Sequence, residues 1–385
     1  MIHIMRRGWQ FWIDRGGTFT DVIGVTPAGD LHVRKVLSSG AGAGDPGLAA
    51  VRGMIHAAAG DATACMTTQI DVVKVGTTVA TNCLLERRGE PVLLVTTAGF
   101  ADALRIGDQS RPDIFARHIV LPELLYAEVV AARERIDAAG EIVVPLDAAA
   151  LRSELARAYA RGLRSAAIVF LHGWRHTQHE REAALIARSV GFTEVSVSHE
   201  ISPLVRYIIR GGTTVLNAYL APPLQRYVEG LQRELAALDP AARLALMQSH
   251  GGLSEPQSFH ASSSLLSGPA GGLIGVARAG RRLGIDRLIG FDMGGTSTDV
   301  SLLDGELPRR FEHRIAGVRV NTSMLDVHTI AAGGGSVLRF EDGRCSVGPD
   351  SAGADPGPAC YGRGGPLTLT DVQVLLGRLR PDTLP

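Results

Sequence analysis

Two stretches of this chain carry the same chemistry. IDRGGTFTD runs from Ile13 to Asp21 and FDMGGTSTD from Phe291 to Asp299, and both contain Asp-x-Gly-Gly-Thr-x-Thr-Asp. Adjacent glycines let a turn bring backbone amides close to a ligand with no Cβ in the way, and threonine hydroxyls add donors suited to phosphate oxygens. The glycines are Gly16, Gly17, Gly294 and Gly295, and the threonines are Thr18, Thr20, Thr296 and Thr298. An aspartate that ends the preceding strand can hold magnesium through water, because this ion keeps much of its hydration shell. Asp14 and Asp292 are the candidates. One copy alone also reads as an ordinary hairpin turn. A repeat of the pattern in each half favours the ligand-binding reading. Asp21 and Asp299, which close the motifs, are read as caps of their own turns, with a role toward magnesium or a nucleophile as the alternative.

Other candidates cluster near the C-terminus. Asp326 and His328 in LDVHTIAAGGGS follow a strand and precede Gly333, Gly334 and Gly335. The pair is read either as a substrate or nucleotide contact or as a satisfied strand end, and the glycines as backbone approach to a nucleotide. SGPAGG, at Ser267–Gly272, opens a helix and offers phosphate or ribose a helix N-terminus, or is simply a helix-entry turn. Cys360, in the loop PGPACYGRGG, is a nucleophile candidate. His172, His176 and His179 have metal-like spacing, but Thr177 and Glu180 read as a capping box that starts the helix after His176. A Walker A loop is excluded, because neither Lys35 nor Lys74, the two lysines, follows a glycine-rich turn.

These residues need strands to hold them. WQFWI precedes the first motif and RLIGF the second, and each motif leads into another apolar run, so the repeated unit is strand, polar turn, strand. VIGVTPAGDLHVRKVL extends the first unit into an antiparallel meander, and VSLLDGELPRRFEHRI is predicted to do the same for the second. Between them, helical stretches at DPGLAAVRGMIHAAAG, ATNCLLERRG, Asp147–Gly162 and HTQHEREAALIARSVG alternate with the strands VVKVGTT, PVLLVTT, AAIVFLH and EVSVSHE, an α/β pattern around a central sheet. SPLVRYIIRGGTTVLNAYLAPPLQRYVEGLQRELAALD is helical, with Gly211, Gly212, Pro222 and Pro223 as predicted breaks. The first domain is placed at residues 1–200 and the second at 201–385.

Composition removes whole classes of partner. The 385 residues are 45% hydrophobic, ample for two cores, and 39 basic residues balance 39 acidic ones, so no net field attracts nucleic acid or an anionic membrane. Cys65, Cys83, Cys345 and Cys360 form no CxxC pair, which argues against a zinc ribbon or a disulfide scaffold and for reduced thiols. No apolar run approaches a membrane span and no cleavable leader is read at the start, so the expected compartment is the cytoplasm.

Facing phosphate-binding hairpins are the arrangement of the actin-like ATPases. Within that superfamily, IDRGGTFTD, GTTVATNCLLERRGE, LRIGDQSRPDIF, SGPAGG, FDMGGTSTDVS, DVHTIAAGGGS and VGPDSAGADPGPACYGRGG, in this order, resemble the hydantoinase A and 5-oxoprolinase family across essentially the whole chain. The resemblance implies duplicated ribonuclease H-like domains around a nucleotide cleft, with the second domain incomplete. It implies ATP and Mg2+ as cofactors and ATP-dependent hydrolysis of a cyclic amide. 5-Oxo-L-proline is the first expectation, because Arg15 and LRIGDQSRPDIF look more like 5-oxoprolinases than like hydantoinase A subunits. Arg15 then stands beside the phosphate turn, toward a phosphate, a carboxylate or a surface partner. A hydantoinase A subunit acting with a B-type partner is the alternative, and a non-catalytic actin-like ATP-binding module is the alternative of another class. The resemblance further implies a chain that stops before the family does, a B-type half or subunit as partner, and a homo-oligomer.

Overall fold

A computed structural model of the chain describes residues 8–38, 44–59, 69–108, 115–118, 121 and 123–381. Cys65 and the QSRPDI portion of LRIGDQSRPDIF lie outside the described residues, as does the PDTLP end except for Pro381. The chain opens with the meander β1 (Trp9–Arg15), β2 (Phe19–Val25) and β3 (Leu31–Leu37), and β4 (Ile70–Thr77) returns parallel to β1. Alternation fixes the faces of β1. Trp9, Phe11 and Ile13 are buried, whereas Gln10, Trp12 and Asp14 point the other way. The buried set packs on the helix Pro46–Ala59 and on the long helix Tyr207–Leu238, with Val51, Leu84, Leu216 and Leu220 in the same core. Each such side chain contributes about 1.5–3 kcal/mol when fully buried.

The next segment builds a second, wholly parallel sheet. Its strands β5 (Val92–Thr97), β6 (Tyr126–Ala132), β7 (Ser165–Val169) and β8 (Glu194–Val197) lie in the order β8-β7-β5-β6. β5 and β7 are buried along their whole length, as a strand covered on both faces must be. The helices Ala148–Ala160 and Gln178–Val190 cover one face and the long helix the other. Asp147 caps the first of these, accepting from the Ala150 amide at 3.0 Å. The capping box predicted at Thr177 and Glu180 does not form. Glu180 is fully buried and instead accepts from the Phe170 amide, the Ser198 hydroxyl and His199, because tertiary donors reach it before its own helix terminus does.

The long helix corrects another expectation, for it runs unbroken through both glycines and both prolines. Pro222 and Pro223 lack the N–H groups that would bond the carbonyls four residues earlier, Ala218 and Tyr219. Those carbonyls find other donors: Ser165 Oγ reaches Ala218 O at 2.7 Å and the Glu90 amide reaches Tyr219 O at 3.0 Å. The second sheet and the segment leading into it supply the substitutes, and the helix continues. At Gly211 a Cβ would stand 2.8 Å from Leu104 Cδ2, so this glycine serves close packing.

After the helix, β9 (Arg243–Met247) pairs parallel to β4, and β10 (Leu253–Ser254) pairs antiparallel to β9. The first sheet is therefore ordered β10-β9-β4-β1-β2-β3, and residues 243–254, assigned by sequence to the second unit, complete it. An antiparallel meander followed by the parallel pair β4 and β9 is the ribonuclease H-like arrangement that the resemblance implies.

The helix Ser267–Leu283 then leads into β11 (Arg287–Met293) and β12 (Thr298–Asp304), the second copy of the hairpin. The predicted third strand of its meander is wrong. β13 (Arg309–Ile315) turns away to pair with β14 (Val318–Leu325), which packs on the long helix, and β15 (Val327–Ile330) takes the place beside β12. A hairpin over residues 336–351 follows. No described helix is long and apolar enough to cross a membrane.

Candidate active site

The two motif hairpins have the same register. Asp14 faces Asp21 and Arg15 faces Thr20 in the first; Asp292 faces Asp299 and Met293 faces Thr298 in the second. Each turn closes through one bond, Gly16 N to Phe19 O and Gly294 N to Ser297 O, both 2.9 Å. The amides of Gly17, Thr18, Gly295 and Thr296 have no hydrogen-bond partner among the described residues, so both turns present free N–H groups. The tips meet: a Cβ on Gly295 would lie 3.3 Å from Thr18 Oγ1.

Behind the tips, the N-terminus of the helix Ser267–Leu283 packs between the first sheet and the β11–β12 hairpin. A Cβ on Gly268 would lie 3.4 Å from Asp14 Oδ1, and one on Gly272 would lie 3.8 Å from Asp292 Oδ2. SGPAGG thus lets one helix approach both aspartates. Solvent still reaches Asp14 from the opening, yet the surrounding protein pushes its carboxyl up to about 6, first through lost hydration and then through the charges of Asp21 and Asp292, with Lys35 pulling the other way. Asp299 is also raised, chiefly by lost hydration.

The aspartates offer hard oxygen donors, which fits magnesium. Among the described residues no three His, Cys, Asp or Glu side chains form a cage of their own.

Several candidates are placed elsewhere. Arg15 shares the core-facing side of β1 with Ile13, where its guanidinium reaches Asp45 Oδ2 at 3.1 Å and stacks 4.8 Å from the Tyr227 ring centroid. Asp45 in turn accepts from Gly47 N and Leu48 N at the start of a helix. Arg15 is a tether between β1 and this helix, not a phosphate contact. Directly paired residues of an antiparallel ladder share a face. Asp292, Asp299 and Thr329 therefore lie on one face, and Phe291, Val300 and His328 on the other. His328 points away from the aspartates, and Asp326 is paired with Arg310 at 3.7 Å.

Gly333, Gly334 and Gly335 approach the second turn, but their amides are engaged by Ser336 Oγ, Gly294 O and Gly295 O. They brace the turn instead of offering donors to a ligand. The hydroxyls of Thr20 and Thr298 are buried and tied to Ser38 Oγ and Ala332 O. Asp21 and Asp299 do not cap their turns; they accept from Lys35 and Thr329 on the adjacent strands. Burial and the neighbouring Asp371 carboxylate push the Cys360 thiol up to about 11, away from the thiolate that a nucleophile needs. The loop that carries it sets the Tyr361 ring edge-on to Phe19, at 6.1 Å. His179 lies against Glu134 at 2.8 Å in the buried second core. Sequence reasoning missed Lys35 and Thr329; the register of the third strand would have found Lys35.

Known proteins share this framework. Residues 10–191 match the hydantoinase/oxoprolinase N-terminal region and residues 210–385 match the hydantoinase/oxoprolinase family. The chain is 37% identical to 5-oxoprolinase of Dictyostelium discoideum over 424 residues, a match covering 99% of this chain and 34% of that protein. Acetone carboxylase in a nucleotide-free structure superposes with a TM-score of 0.80 at 24% identity, over 97% of this chain and 55% of that one. ATP-dependent caprolactamase from Pseudomonas jessenii superposes with a TM-score of 0.76 at 32% identity, over 96% of this chain and 55% of that one. The chain spans about a third of the length of the 5-oxoprolinases it matches.

Proposed function

The chain belongs to the hydantoinase/oxoprolinase family, and from that premise we infer that it is the nucleotide-handling part of an ATP-dependent cyclic amide hydrolase. The observation that carries this reading is the contact between two equivalent turns with free amides, each backed by an aspartate. Gly17, Thr18, Gly295 and Thr296 would hold phosphate oxygens. A magnesium ion held by Asp14 and Asp292 would neutralise charge on those phosphates. Gly16, Gly294 and Gly333–Gly335 would keep the turns in shape.

ATP and the lactam enter as substrates. A five-membered lactam is a stable amide, and neutral water attacks it poorly. In the proposed reaction the bond from the γ-phosphorus to its bridging oxygen breaks as a bond to the lactam oxygen forms. Water then adds to the activated carbon, the ring C–N bond breaks as nitrogen takes a proton and leaves an acyl phosphate, and a second water attacks that acyl carbon as phosphate departs. The sum is lactam, ATP and two waters giving an amino acid, ADP and phosphate. For this chemistry the protein chiefly positions groups and balances charge.

Likeness to named 5-oxoprolinases and to an ATP-dependent caprolactamase supports a lactam substrate, with 5-oxo-L-proline first and hydantoins second. Arg15 no longer contributes to that preference, since Asp45 holds it. The further length of the relatives supports a B-type half or subunit as partner. The test is phosphate release by this chain assembled with that half. Release should require a cyclic amide and match the glutamate formed from 5-oxoproline. Release that ignores the amide would support a plain ATP-binding module, and a stable phosphorylated product would support a kinase.

A further inference from the structure

The duplicated hairpins are equal in register but not in charge. In each, a third strand pairs antiparallel with the second strand of the motif and offers one side chain to the closing aspartate. Opposite Asp21 on β3 stands Lys35, whose ammonium reaches the carboxylate oxygens at 2.7 and 2.9 Å. Opposite Asp299 on β15 stands Thr329, whose hydroxyl donates at 2.6 Å. One copy has a cation at this position and the other a neutral donor.

The turn residues differ in the same sense. The Lys35 ammonium lies 5.0 Å from the ring centroid of Phe19, which follows Thr18 in the first turn; the equivalent residue in the second is Ser297. An aromatic face holds the ammonium beside the first turn, and among the described residues no cation stacks at the second. Lys35 and Asp21 are each 46% exposed, so the pair sits where water competes with it and the ammonium can exchange a carboxylate for a phosphate at little cost.

Resting on the nucleotide reading above, we propose that Lys35 makes the first hairpin the seat of the terminal phosphoryl group: its ammonium moves from Asp21 to that group when ATP binds, and the second hairpin has no equivalent contact. Two closing carboxylates repel a polyphosphate equally, and Lys35 breaks the tie. The cleft then has a defined polarity, with the transferring group beside β3.

Calorimetric titration of this chain with MgATP and MgADP tests it. Lys35→Met keeps the aliphatic stem over Phe19 and should lower affinity for MgATP about tenfold more than for MgADP. Lys35→Arg should recover most of the loss, and Thr329→Val should leave the ATP-to-ADP ratio unchanged. The double variant Asp21→Asn/Lys35→Met decides whether the ammonium contacts phosphate or merely neutralises Asp21. If the contact is real, MgATP affinity stays low in the double variant. Equal losses for the two nucleotides, or recovery in the double variant, overturn the proposal while the nucleotide site stands. Wild-type chain that binds neither nucleotide overturns the site and the proposal together. Thermal melts of each variant separate these outcomes from misfolding.

Discussion

Asp292→Asn in the assembled enzyme should reduce lactam-dependent phosphate release on the order of a hundredfold to a thousandfold, the range for removing a group aimed at charge in a transition state. Asparagine keeps the shape and a neutral oxygen but loses the charge that would hold a hard cation. The fold should tolerate the change, because Asp292 is exposed and its side chain makes no hydrogen bond among the described residues that the substitution would break. Its neighbours even favour it: Asp292 raises the proton affinity of both Asp14 and Asp299, so neutralising it relieves repulsion across the cleft. Steady-state phosphate release beside a thermal melt is the check. A variant within tenfold of wild type, with an unchanged melt, would remove Asp292 from the site.

The second large effect is expected from a residue that touches no ligand. A Cβ on Gly333 would fall 2.7 Å from the carbonyl carbon and oxygen of Gly295 and 2.8 Å from Gly294 O. Those atoms are backbone, so they cannot rotate aside as a side-chain end would, and the second turn has to move. Gly334 N and Gly335 N hold the same turn at 2.9 and 2.7 Å, so displacing it breaks the brace as well. Gly333→Ala should therefore weaken MgATP binding about tenfold or more. Gly275→Ala, on the helix beside the cleft but with nothing within 4 Å of the new methyl, should bind as wild type does. Equal affinity in the two variants would mean that the turn's position does not matter to the nucleotide.

Much of this was legible in the residues. The repeated motif gave both hairpins as strand, turn, strand, and the structure sets Asp14 opposite Asp21 and Asp292 opposite Asp299. SGPAGG was legible as a helix start, and the structure brings it between the two aspartates. The third strand of the second unit was not legible. RRFEHRI follows β12 directly and alternates like a strand, but β14 captures it by packing Val320 and Met324 under the long helix. Tertiary burial outweighed sequence adjacency there, and with β15 misplaced Thr329 could not be matched to Lys35.

Arg15 and His328 failed for a related reason. Motif position says which residues are near a turn, whereas the face of the strand decides which of them reach it. Arg15 follows Ile13 by two residues and so shares its buried side, and His328 pairs with Val300 rather than with Asp299. Pro222 and Pro223 misled because a helix break is predicted from the missing N–H alone. Whether Ser165 and Glu90 stand ready to satisfy the freed carbonyls is a tertiary fact that no local window contains.

The most direct measurement is a calorimetric titration of this chain with ATP, with and without magnesium, for wild type and for Asp14→Asn/Asp292→Asn. If the facing hairpins form the phosphate site, wild type binds ATP at a single site, more tightly with magnesium, and the double variant loses about a hundredfold in affinity with its melt intact. Absence of binding to the wild type, or the same magnesium-dependent affinity in the double variant, would contradict it.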